Sequence, residues 1–420
     1  MRVLWFANTP CNADEYFNTE LKGSGGWLKA LDQELQKHVD LHIAFYSKKN
    51  VENFKYKNTN YYPIYIKDSL LKKIYDYLFN RIVFKEHINI YLKIVEQVKP
   101  DIIHIHGTEN PFGYIINNTK IPVVISIQGN ITICYHKYLV GIEKKYLYVT
   151  DFKFKNPLGI FKNYNEGYKI FRKMMLRERE ILSKCNHIIG RTDWDYYITR
   201  VLAPHSRYYH VDEILRNSFY ENAGKWRTHN RDKLIIVSVT GPAFYKGLET
   251  VCQTLYELQG IGLEVEWGIV GINSNDLIVK VVKKKLGNKY PIKGLTYLGL
   301  LNEKEIIEQL LNADIYVMPS HIENSPNNLC EAMMIGMPCI SSFVGGIGSL
   351  IKDRESGLLI QNGDPWSLTG AIIELFYSKE TTVYYCENAI KETLNRHDRI
   401  KIIDNLLSAY KCIVEGKKIN

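Results

Sequence analysis

The sequence has eight cysteines among its 420 residues but no Cys-x-x-Cys pair, so the thiols are scattered singly along the chain. This spacing disfavours both a disulfide framework and a structural zinc site, and it is typical of buried thiols in a reducing compartment. No run of about 18 apolar residues is present, and the first ten residues, MRVLWFANTP, do not have the pattern of a signal peptide. We therefore expect a cytoplasmic protein without a membrane-spanning helix.

Two further absences bear on function. No Gly-x-Gly-x-x-Gly follows either first-strand candidate, RVLWFA or KLIIVSV, which disfavours a dinucleotide-dependent oxidoreductase. The sequence has no internal repeat and no long polar tract, so its composition indicates folded globular domains. Positive charge, by contrast, is abundant. The formal net charge of +9 favours an anionic partner such as a nucleotide, a nucleic acid or an acidic membrane surface.

Short apolar runs alternate with longer amphipathic stretches, which is the pattern of parallel sheets flanked by helices, and this pattern restarts near residue 233. The chain is also too long for one ordinary hydrophobic core. In open sheets of this class ligands bind at the carboxyl ends of strands, so we expect a site in a cleft between two domains. We predict a first domain over residues 1–215, a linker over 216–232, a second domain over 233–385 and C-terminal helices over 386–420 that could pack back on the first domain.

The same patterns locate individual elements. The predicted strands are RVLWFA, LHIAF, IIHIH, VVISI and HIIG in the first half, and KLIIVSV, LEVEWGIV, DIYVM, MPCISS and GLLI in the second. The predicted helices span residues 27–38, 69–99, 247–259, 303–312, 328–335 and 383–416.

The stretch HIENSPNNLCEAMM, residues 321–334, places Glu323 and Glu331 on either side of a short polar turn. The turn should open a helix with Ser325 or Asn327 as its N-cap residue, and the N–H groups and dipole at a helix start attract phosphate. Both acids would then face a ligand whose phosphates lie at the turn, and they would accept hydrogen bonds from its hydroxyl groups. The alternative is a helix start that is merely flanked by favourable acids.

A second segment, VSVTGPAFYKG, adds Gly241 and Lys246 at the end of the first strand of the second domain. A residue without a side chain lets the backbone approach a phosphate, and a lysine supplies the counter-charge. The alternative is a tight turn with a solvated lysine. A third segment, SFVGGIGSL, supplies a glycine turn at Gly345 and Gly346 after a later strand. Three such elements at successive strand ends of one domain indicate a phosphate-containing ligand.

Together these segments resemble the donor-binding half of a family 4 glycosyltransferase, a retaining enzyme of the GT-B architecture. The resemblance rests on TGPAFYKG, ADIYVMPSHIENSPNNLCEAMMIGMPCISSFVGG and SGLLIQNGDPWSL, and it is strong over residues 233–378 and looser before them. It implies an α/β protein of the GT-B class, in which two Rossmann-like doubly wound domains face a central cleft. The first domain would bind the acceptor and the second a nucleotide diphosphate sugar.

The resemblance also implies roles for individual residues of the second domain. Glu323 would contact hydroxyls of the transferred sugar and Lys246 would neutralise the diphosphate, so these two are the candidate catalytic residues. Glu331 would contact the ribose of the nucleotide. No metal and no other cofactor is expected. The remaining candidate donor-binding residues are Gly241, Ser325, Asn327, Asn328 and Leu329, the last three through backbone N–H groups.

The sequence departs from the family pattern in two places. The family's lysine usually follows an arginine a few residues earlier, whereas this chain reads Thr-Gly-Pro-Ala over residues 240–243. Arg191 or Arg216 is a candidate replacement for the missing positive charge. The Pro-Glu that usually follows the glycine pair is replaced by Gly348 and Ser349.

The first domain offers candidates for acceptor or cleft contacts. LKGSGGWLKAL resembles the family's glycine-rich loop, with Gly25 and Gly26 ahead of a helix, and the alternative is a flexible helix entry. His106 and Gln128 stand at two adjacent strand ends, and the family often has a histidine where Gln128 stands. Arg191, which ends the strand HIIG, is the last candidate.

Other polar residues of the first domain have simpler interpretations. We expect His104 to pack within the sheet rather than to take part in chemistry. Asp193 and Asp195, which form an Asp-x-Asp after Arg191, are expected to cap the following helix.

Residues 137–179 carry eleven Lys or Arg residues, four acids and nine Tyr or Phe residues. Basic residues mixed with aromatic ones suit an anionic membrane interface, where each nearby cation contributes about 1 kcal/mol. A solvated surface is the second interpretation, and a surface for single-stranded nucleic acid is the third.

We therefore predict a retaining glycosyltransferase that moves a hexose-type sugar from a nucleotide diphosphate sugar to a hydroxyl of a saccharide acceptor. Lipid-linked acceptors of surface-polysaccharide assembly, such as undecaprenyl diphosphate saccharides, fit this prediction together with peripheral contact at the inner face of the cytoplasmic membrane. A sugar-nucleotide epimerase of the same architecture is the nearest alternative enzyme. A non-catalytic protein that binds a nucleotide sugar is the alternative outside enzymes.

Overall fold

The computed structural model describes residues 1–17, 26–66, 85–150 and 164–416. The chain divides into two compact units. Unit 1 comprises Met1–Thr132, Phe171–Ile214 and Asp398–Asn420, and unit 2 comprises Ile133–Ile170 and Leu215–His397. This division differs from the predicted domain bounds in three segments. Residues 133–170 and the predicted linker at 216–232 belong to unit 2, and residues 398–420 belong to unit 1.

Unit 1 contains a sheet of parallel strands with one antiparallel strand at its edge. The strands are β1 (Arg2–Ala7), β2 (Asp40–Ser47), β3 (Phe54–Tyr56), β4 (Thr59–Tyr65), β5 (Ile102–His106), β6 (Val123–Ser126), β7 (His187–Gly190) and β8 (Arg207–His210). Within the described residues their order is β3-β4-β2-β1-β5-β6-β7-β8. Only the pairing of β3 with β4 is antiparallel.

Helices cover the sheet of unit 1. They are α1 (Ala13–Tyr16), α2 (Gly26–Leu35), α3 (Lys85–Val98), the part of α6 (Tyr164–Leu182) from residue 171 onwards, α7 (Asp193–Leu202) and the C-terminal α15 (Arg399–Val414). Helix α5 (Lys144–Thr150) and all but the first two residues of α4 (Ile131–Lys137) belong to unit 2. The central strand β1 is apolar on both faces because helices pack on both sides, whereas β5 places His104 and His106 on one face; residues 3–7 and 102–106 are buried throughout.

Unit 2 repeats this plan with a second sheet. Its strands are β9 (Leu234–Val239), β10 (Val265–Val270), β11 (Leu295–Gly299), β12 (Ile315–Met318), β13 (Cys339–Ser342) and β14 (Leu358–Ile360). In the part of the chain that the structure describes, their order is β11-β10-β9-β12-β13-β14, and the pairs are parallel. Its further helices are α8 (Asn217–Glu221), α9 (Leu248–Gly260), α10 (Leu277–Leu286), α11 (Glu303–Asn312), α12 (Asn327–Ile335), α13 (Pro365–Tyr377) and α14 (Lys379–Arg396).

The order of strands reverses direction between β9 and β12, which are neighbours in the sheet although two strands separate them in sequence. Such a reversal opens a crevice outside the carboxyl ends of the two strands, and ligands of open α/β sheets bind there. The apolar core lies on both faces of this sheet, with Trp267 fully buried on one face and Tyr316 on the other. The loops after β9 and β12 therefore begin at strands that are packed in the core.

The predicted strands are confirmed, with ends that differ by one or two residues. The predicted helix at 69–99 is confirmed only over Lys85–Val98, and the rest of that prediction lies mostly outside the described residues. The interpretation of 216–232 as structureless was incomplete, because these residues form helix α8, and Phe219 and Trp226 are buried in the core of unit 2. No helix of the described residues is long and apolar enough to cross a membrane.

Candidate donor site in the second unit

Lys246 and Glu323 form an ion pair at the carboxyl ends of β9 and β12. The distance between Lys246 Nζ and Glu323 Oε1 is 2.6 Å, and the two side chains are 23% and 11% exposed. Lys246 ends a short 3-10 turn, and the next residue, Gly247, has a φ of 76°. A Cβ atom at Gly247 would lie 2.1 Å from the carbonyl oxygen of Pro319, so only glycine lets this turn pack against the loop that carries Glu323. The two predicted catalytic residues are thus brought together.

The glycine turn after β13 supports the backbone of Glu323. Gly345 has a φ of 52°, and a Cβ atom there would lie 1.9 Å from the Glu323 carbonyl oxygen. That same oxygen accepts a hydrogen bond of 3.1 Å from the Gly346 N–H. The turn that the sequence singled out for a possible phosphate contact therefore has a structural role as well, because it fixes the position of Glu323.

His321 connects the Glu323 loop to two other segments. Its backbone N–H donates to the carbonyl oxygen of Tyr245 at 2.7 Å. Its ring nitrogen Nδ1 lies 2.6 Å from Asn362 Oδ1, and its ring nitrogen Nε2 lies 2.5 Å from Glu249 Oε1. Burial alone would lower the pKa of His321, but Glu249 and Asn362 raise it above its ordinary value by hydrogen bonding and charge. Sequence reasoning missed this network, which holds the loops of Lys246 and Glu323 together.

The turn between the two glutamates opens helix α12, as predicted, but the predicted N-cap is wrong. Pro326 is the N-cap residue, with φ −74° and ψ 114°, and it has no side-chain acceptor to offer the helix. Proline suits the position because its ring fixes φ near that value. Ser325 is buried in the preceding loop, so neither Ser325 nor Asn327 caps the helix. The N-cap residue therefore offers no side-chain acceptor to the first N–H groups of α12. A helix start of this kind suits the binding of an anion.

Asn328 and Leu329 lie in the first turn of α12. The Asn328 amide donates a hydrogen bond to the Val239 carbonyl oxygen, which attaches the helix start to the end of β9. The Leu329 N–H is engaged, since the Pro326 carbonyl oxygen and Asn328 Oδ1 both lie 3.1 Å away. A contact of Leu329 with phosphate stays a prediction, and it would require this N–H to change partner.

Gly241 stands in the loop between β9 and Lys246. No described atom lies within 4 Å of the place where its Cβ would be, so its surroundings are open. A close approach of the Gly241 backbone to a phosphate stays a prediction.

Glu331 lies one turn further along α12, buried and paired with Arg216. Arg216 Nε donates to Oε1 at 2.7 Å and Nη2 donates to Oε2 at 2.6 Å. Arg216, one of two residues considered as a replacement for the missing family arginine, is thus bound to a carboxylate. Among the described residues, the loop that holds Lys246 offers no further cation.

In unit 1, His106 is fully buried at the end of β5, between the rings of Trp5 and Trp27 at centroid distances of 4.5 and 5.8 Å. Neither of its ring nitrogens has a hydrogen-bond partner among the described residues. Burial, with the charge of Arg191, lowers the pKa of His106 well below its ordinary value. His104 next to it bonds to Tyr410 and Ser126 at 2.6 Å each, as expected of a packed residue.

Arg191 lies at the end of β7, beside Trp27. Its guanidinium stands 4.3 Å from the centre of the Trp27 ring and 3.4 Å from Glu213 Oε2. Trp27, which the sequence did not single out, follows Gly26 at the start of α2. Gln128 is half-buried just after β6. Gly25 lies outside the described residues.

Asp195 confirms its predicted capping role. Thr192 is the N-cap residue of α7; its hydroxyl accepts from the Asp195 N–H, and the Asp195 carboxylate accepts from the Thr192 N–H. The same carboxylate accepts from the Arg191 N–H at 2.9 Å. Within the residues that the structure covers, no group of three or more His, Cys, Asp or Glu side chains is placed to hold a metal ion.

Residues 221–392 match the family described as Glycosyl transferases group 1. A relative from Escherichia coli, UDP-Gal:alpha-D-GlcNAc-diphosphoundecaprenol alpha-1,3-galactosyltransferase, is 30% identical over 126 residues, which cover 30% of this chain and 32% of that protein. The chain spans 32%, 36% and 38% of the length of three curated relatives that it matches.

Solved structures extend the likeness to the whole chain. Sucrose-phosphate synthase from Thermosynechococcus elongatus superposes with a TM-score of 0.73 at 13% identity and covers 99% of both chains. Anabaena HepE, solved in complex with UDP-glucose, has a TM-score of 0.62 at 12% identity, covering 97% of this chain and 100% of that one. At such identities the likeness establishes the fold. The protein has the GT-B fold of two Rossmann-like units, and residues 221–392 match the Glycosyl transferases group 1 family.

Proposed function

We propose that the protein is a retaining glycosyltransferase that moves a hexose-type sugar from a nucleotide diphosphate sugar to a hydroxyl of a saccharide acceptor. The observation that carries this proposal is the Lys246–Glu323 pair at the strand-order reversal of a Glycosyl transferases group 1 domain. An ammonium and a carboxylate held together beside a helix start suit a ligand that presents both phosphate and hydroxyl groups.

The chemistry follows from these charges. The bond between the sugar's anomeric carbon and the diphosphate oxygen breaks, and a bond to the acceptor oxygen forms on the same face of the sugar. The acceptor's proton passes to an oxygen of the departing diphosphate, so no protein base is needed. Lys246 and the N–H groups at the start of α12 stabilise the negative charge that develops on the diphosphate, while Glu323 holds the sugar through its hydroxyls. No step requires a metal.

The proposed acceptor rests on the chemistry of transfer to a hydroxyl and on the name of one relative. The Escherichia coli relative is named for an acceptor in which GlcNAc is linked to diphosphoundecaprenol. We assign a lipid-linked saccharide of polysaccharide biosynthesis to this chain on that basis, with His106, Gln128, Arg191 and the Gly25–Gly26 loop of unit 1 as its contacts. A lipid-linked acceptor places the enzyme at the inner face of the cytoplasmic membrane, and the basic aromatic segment 137–179 suits contact with anionic lipid.

The test is product analysis with a panel of UDP-glucose, UDP-galactose, UDP-N-acetylglucosamine and GDP-mannose, each with and without a synthetic GlcNAc-diphospholipid. We expect a disaccharide whose anomeric configuration by NMR equals that of the donor. Lys246→Met and Glu323→Gln should each lower kcat/KM about 100-fold or more. Lys233→Met is the matched control, because Lys233 forms a 2.5 Å ion pair with Glu266 at the opposite end of β9.

Three results would contradict the proposal. A free epimer formed from the nucleotide sugar alone would indicate an epimerase. Tight binding without product across all donors and acceptors would indicate a non-catalytic binding protein. If Lys246→Met and Glu323→Gln both turned over the donor at the wild-type rate, the assignment of these residues to the site would be wrong.

A further inference from the structure

Glu178, on helix α6 in unit 1, is fully buried, and among the described residues its carboxylate accepts hydrogen bonds from three others. Oε1 accepts from the Thr108 hydroxyl at 2.6 Å and from the Ile131 N–H at 3.1 Å. Oε2 accepts from the Thr132 N–H at 2.6 Å and from the Thr132 hydroxyl at 2.5 Å. Each oxygen thus binds one backbone N–H and one hydroxyl, which fills the roughly four lone-pair positions of an ionised carboxylate.

These donors come from two loops that follow neighbouring strands of the sheet. Thr108 stands just after the end of β5, whereas Ile131 and Thr132 begin helix α4 after β6. A carboxylate suits a helix start because the first N–H groups of a helix have no partner within it and carry partial positive charge. One side chain of α6 therefore joins the carboxyl ends of two adjacent strands.

The loop after β6 is held on its strand side as well. The Ile127 N–H donates to the carbonyl oxygen of Ile189 in β7 at 2.9 Å. Gln128 is the next residue, so it lies in a short connection between this hydrogen bond and the bonds that Glu178 accepts. The backbone at Gln128 is therefore fixed from both sides.

The loop after β5 is fixed in the same way. Immediately after His106, the Gly107 N–H donates to the carbonyl oxygen of Ser126 at 3.0 Å. Arg177 on α6 donates through Nη2 to the carbonyl oxygen of Glu109. Helix α6 thus holds this loop through two consecutive side chains, and it holds the loop after β6 through one of them.

We infer that Glu178 is a positioning residue for the acceptor, because by joining the two loops it fixes His106 and Gln128 relative to each other. These two residues contact the saccharide acceptor in the proposed function, on which this inference rests. The lone-pair positions of Glu178 are filled, so it acts through the loops and does not touch the acceptor itself. Transfer depends steeply on the position of the reacting hydroxyl, and a misplacement of about 1 Å can lower the rate about 100-fold.

Glu178→Gln tests this role because it keeps the shape of the side chain and replaces one oxygen by an NH2 group. A backbone N–H meets each of the two carboxylate oxygens, so in either orientation of the amide its NH2 group faces an N–H. A hydroxyl can rotate and become an acceptor, but a backbone N–H cannot. The start of α4 must therefore shift, and the connection that carries Gln128 shifts with it.

The experiment measures steady-state transfer with the nucleotide sugar and the synthetic GlcNAc-diphospholipid that give product, and it measures donor binding by calorimetry. In Glu178→Gln we expect the KM for the acceptor to rise about tenfold or more, while the Kd of the donor stays within about twofold. A purely structural role would reduce the fraction of folded protein, which lowers kcat and the number of donor sites together and leaves the acceptor KM unchanged. That result would overturn the inference.

Glu180 supplies a matched control on the same helix. Its side chain is 48% exposed, and its carboxylate accepts from the Tyr114 hydroxyl at 2.8 Å and lies 3.4 Å from Lys184 Nζ. Glu180→Gln removes the same charge from α6 without removing any of the bonds that Glu178 accepts. The acceptor KM of this variant should stay within about twofold of the wild-type value, and a rise equal to that in Glu178→Gln would contradict the inference.

A milder variant covers the case in which Glu178→Gln does not fold by circular dichroism. Thr108→Val removes only the hydroxyl that joins the loop after β5 to Glu178. We expect the acceptor KM to rise about threefold or more, and an unchanged acceptor KM would overturn the inference. If the wild-type protein transfers sugar to no acceptor, the proposed function fails and the role of Glu178 fails with it. If the wild-type protein transfers sugar and Glu178→Gln keeps its acceptor KM, only the role of Glu178 fails.

Discussion

At the scale of residues, unit 2 gathers three pairs of opposite charge around the loops that follow β9 and β12. Lys246 pairs with Glu323, Arg216 with Glu331, and His321 with Glu249. A buried acid is costly unless a cation compensates it, and removing one partner of such a pair leaves the other uncompensated. The pairs differ in exposure. His321 and Glu249 are 2% exposed each, whereas Lys246 and Arg216 are 23% and 21% exposed.

The His321–Glu249 pair predicts a pH dependence of stability. Because the pKa of His321 is raised in the folded protein, its contribution is fully present below the ordinary value near 6.5 and is lost as the pH rises through the folded value. The groups that face the ring are Glu249, Asn362 and the more distant Lys285. We expect the free energy of unfolding in urea to fall between pH 6 and pH 9 by at most about 1.4 kcal/mol per pH unit from this group.

His321→Gln removes the titrating group and serves as the comparison. The difference in stability between the wild-type protein and His321→Gln should shrink as the pH rises, since the two chains share all other titrating residues. A difference that stays constant from pH 6 to pH 9 would show that His321 is not protonated in the folded state.

The sequence singled out Lys246 and Glu323 because both stand in short motifs whose spacing is local, and the structure brings the two side chains together. It was not sufficient for the partners of the buried groups. His321 lies 72 positions from Glu249 in sequence, and Arg216 lies 115 from Glu331. Which distant residues meet depends on the order of strands in the sheet, and no local pattern encodes that order. The local sequence around His321 does not distinguish a surface residue from a buried one, because a histidine before an acid occurs in both settings.

At the scale of elements, the glycine turn at Gly345 fixes the backbone position of Glu323. Gly345→Ala would put a Cβ atom against the Glu323 carbonyl oxygen and force a side chain into left-handed backbone. We expect a loss of about 1–3 kcal/mol in the free energy of unfolding, together with weaker binding of the nucleotide sugar. Urea unfolding and calorimetry measure the two effects.

Gly370→Ala is the control for this substitution. Gly370 lies inside helix α13, where no described atom stands within 4 Å of its missing Cβ. Alanine there should raise stability by about 0.5–1 kcal/mol and leave binding unchanged. Equal stability of Gly345→Ala and the wild-type protein would contradict the role of the turn.

The capping box of α7 gives a second test at this scale. Thr192→Ala removes the acceptor of the Asp195 N–H while the Asp195 carboxylate keeps its bond to the Arg191 N–H. We expect a loss of about 1 kcal/mol, measured by urea unfolding. Thr296→Ala on the edge strand β11 is an exposed comparison and should stay within about 0.5 kcal/mol of the wild-type protein. A larger loss in the control than in Thr192→Ala would contradict the assignment.

Elements with a strong apolar period were predictable, and those without it were not. The central strands β1, β9 and β12 appeared as largely apolar runs because both of their faces are buried, and β5 was recognised although it contains His104 and His106. The strands β3, β4, β8 and β11 were missed; β3, β8 and β11 are half-exposed and carry tyrosines with charged or polar neighbours. Pro326 at the start of α12 was missed because serine and asparagine on either side are the more usual capping residues.

At the scale of the whole molecule, each unit is built from segments that are far apart in the chain. Helix α15 belongs to unit 1, where Tyr410 accepts a hydrogen bond of 3.1 Å from the Trp5 indole and lies 2.6 Å from His104. Residues 133–150 belong to unit 2, where Lys285 donates to the Gly141 carbonyl oxygen at 2.5 Å. The two-domain plan followed from length and the restart of the strand pattern. The return of α15 to unit 1 was considered from the sequence, whereas the place of residues 133–150 in unit 2 was not, because it depends on contacts over more than a hundred residues.

At the scale of the whole molecule, the proposed function requires that unit 2 bind a nucleotide diphosphate sugar through Lys246. Thermal unfolding of the full chain with UDP-glucose, UDP-galactose, UDP-N-acetylglucosamine and GDP-mannose tests this most directly. At about 100 times its Kd a ligand adds about 2.7 kcal/mol, which raises the Tm by about 3 °C when the 420 residues unfold together. We predict such a rise with at least one sugar nucleotide in the wild-type protein and Lys233→Met, and a much smaller one in Lys246→Met. No rise with any of them, or an equal rise in Lys246→Met, would contradict the account.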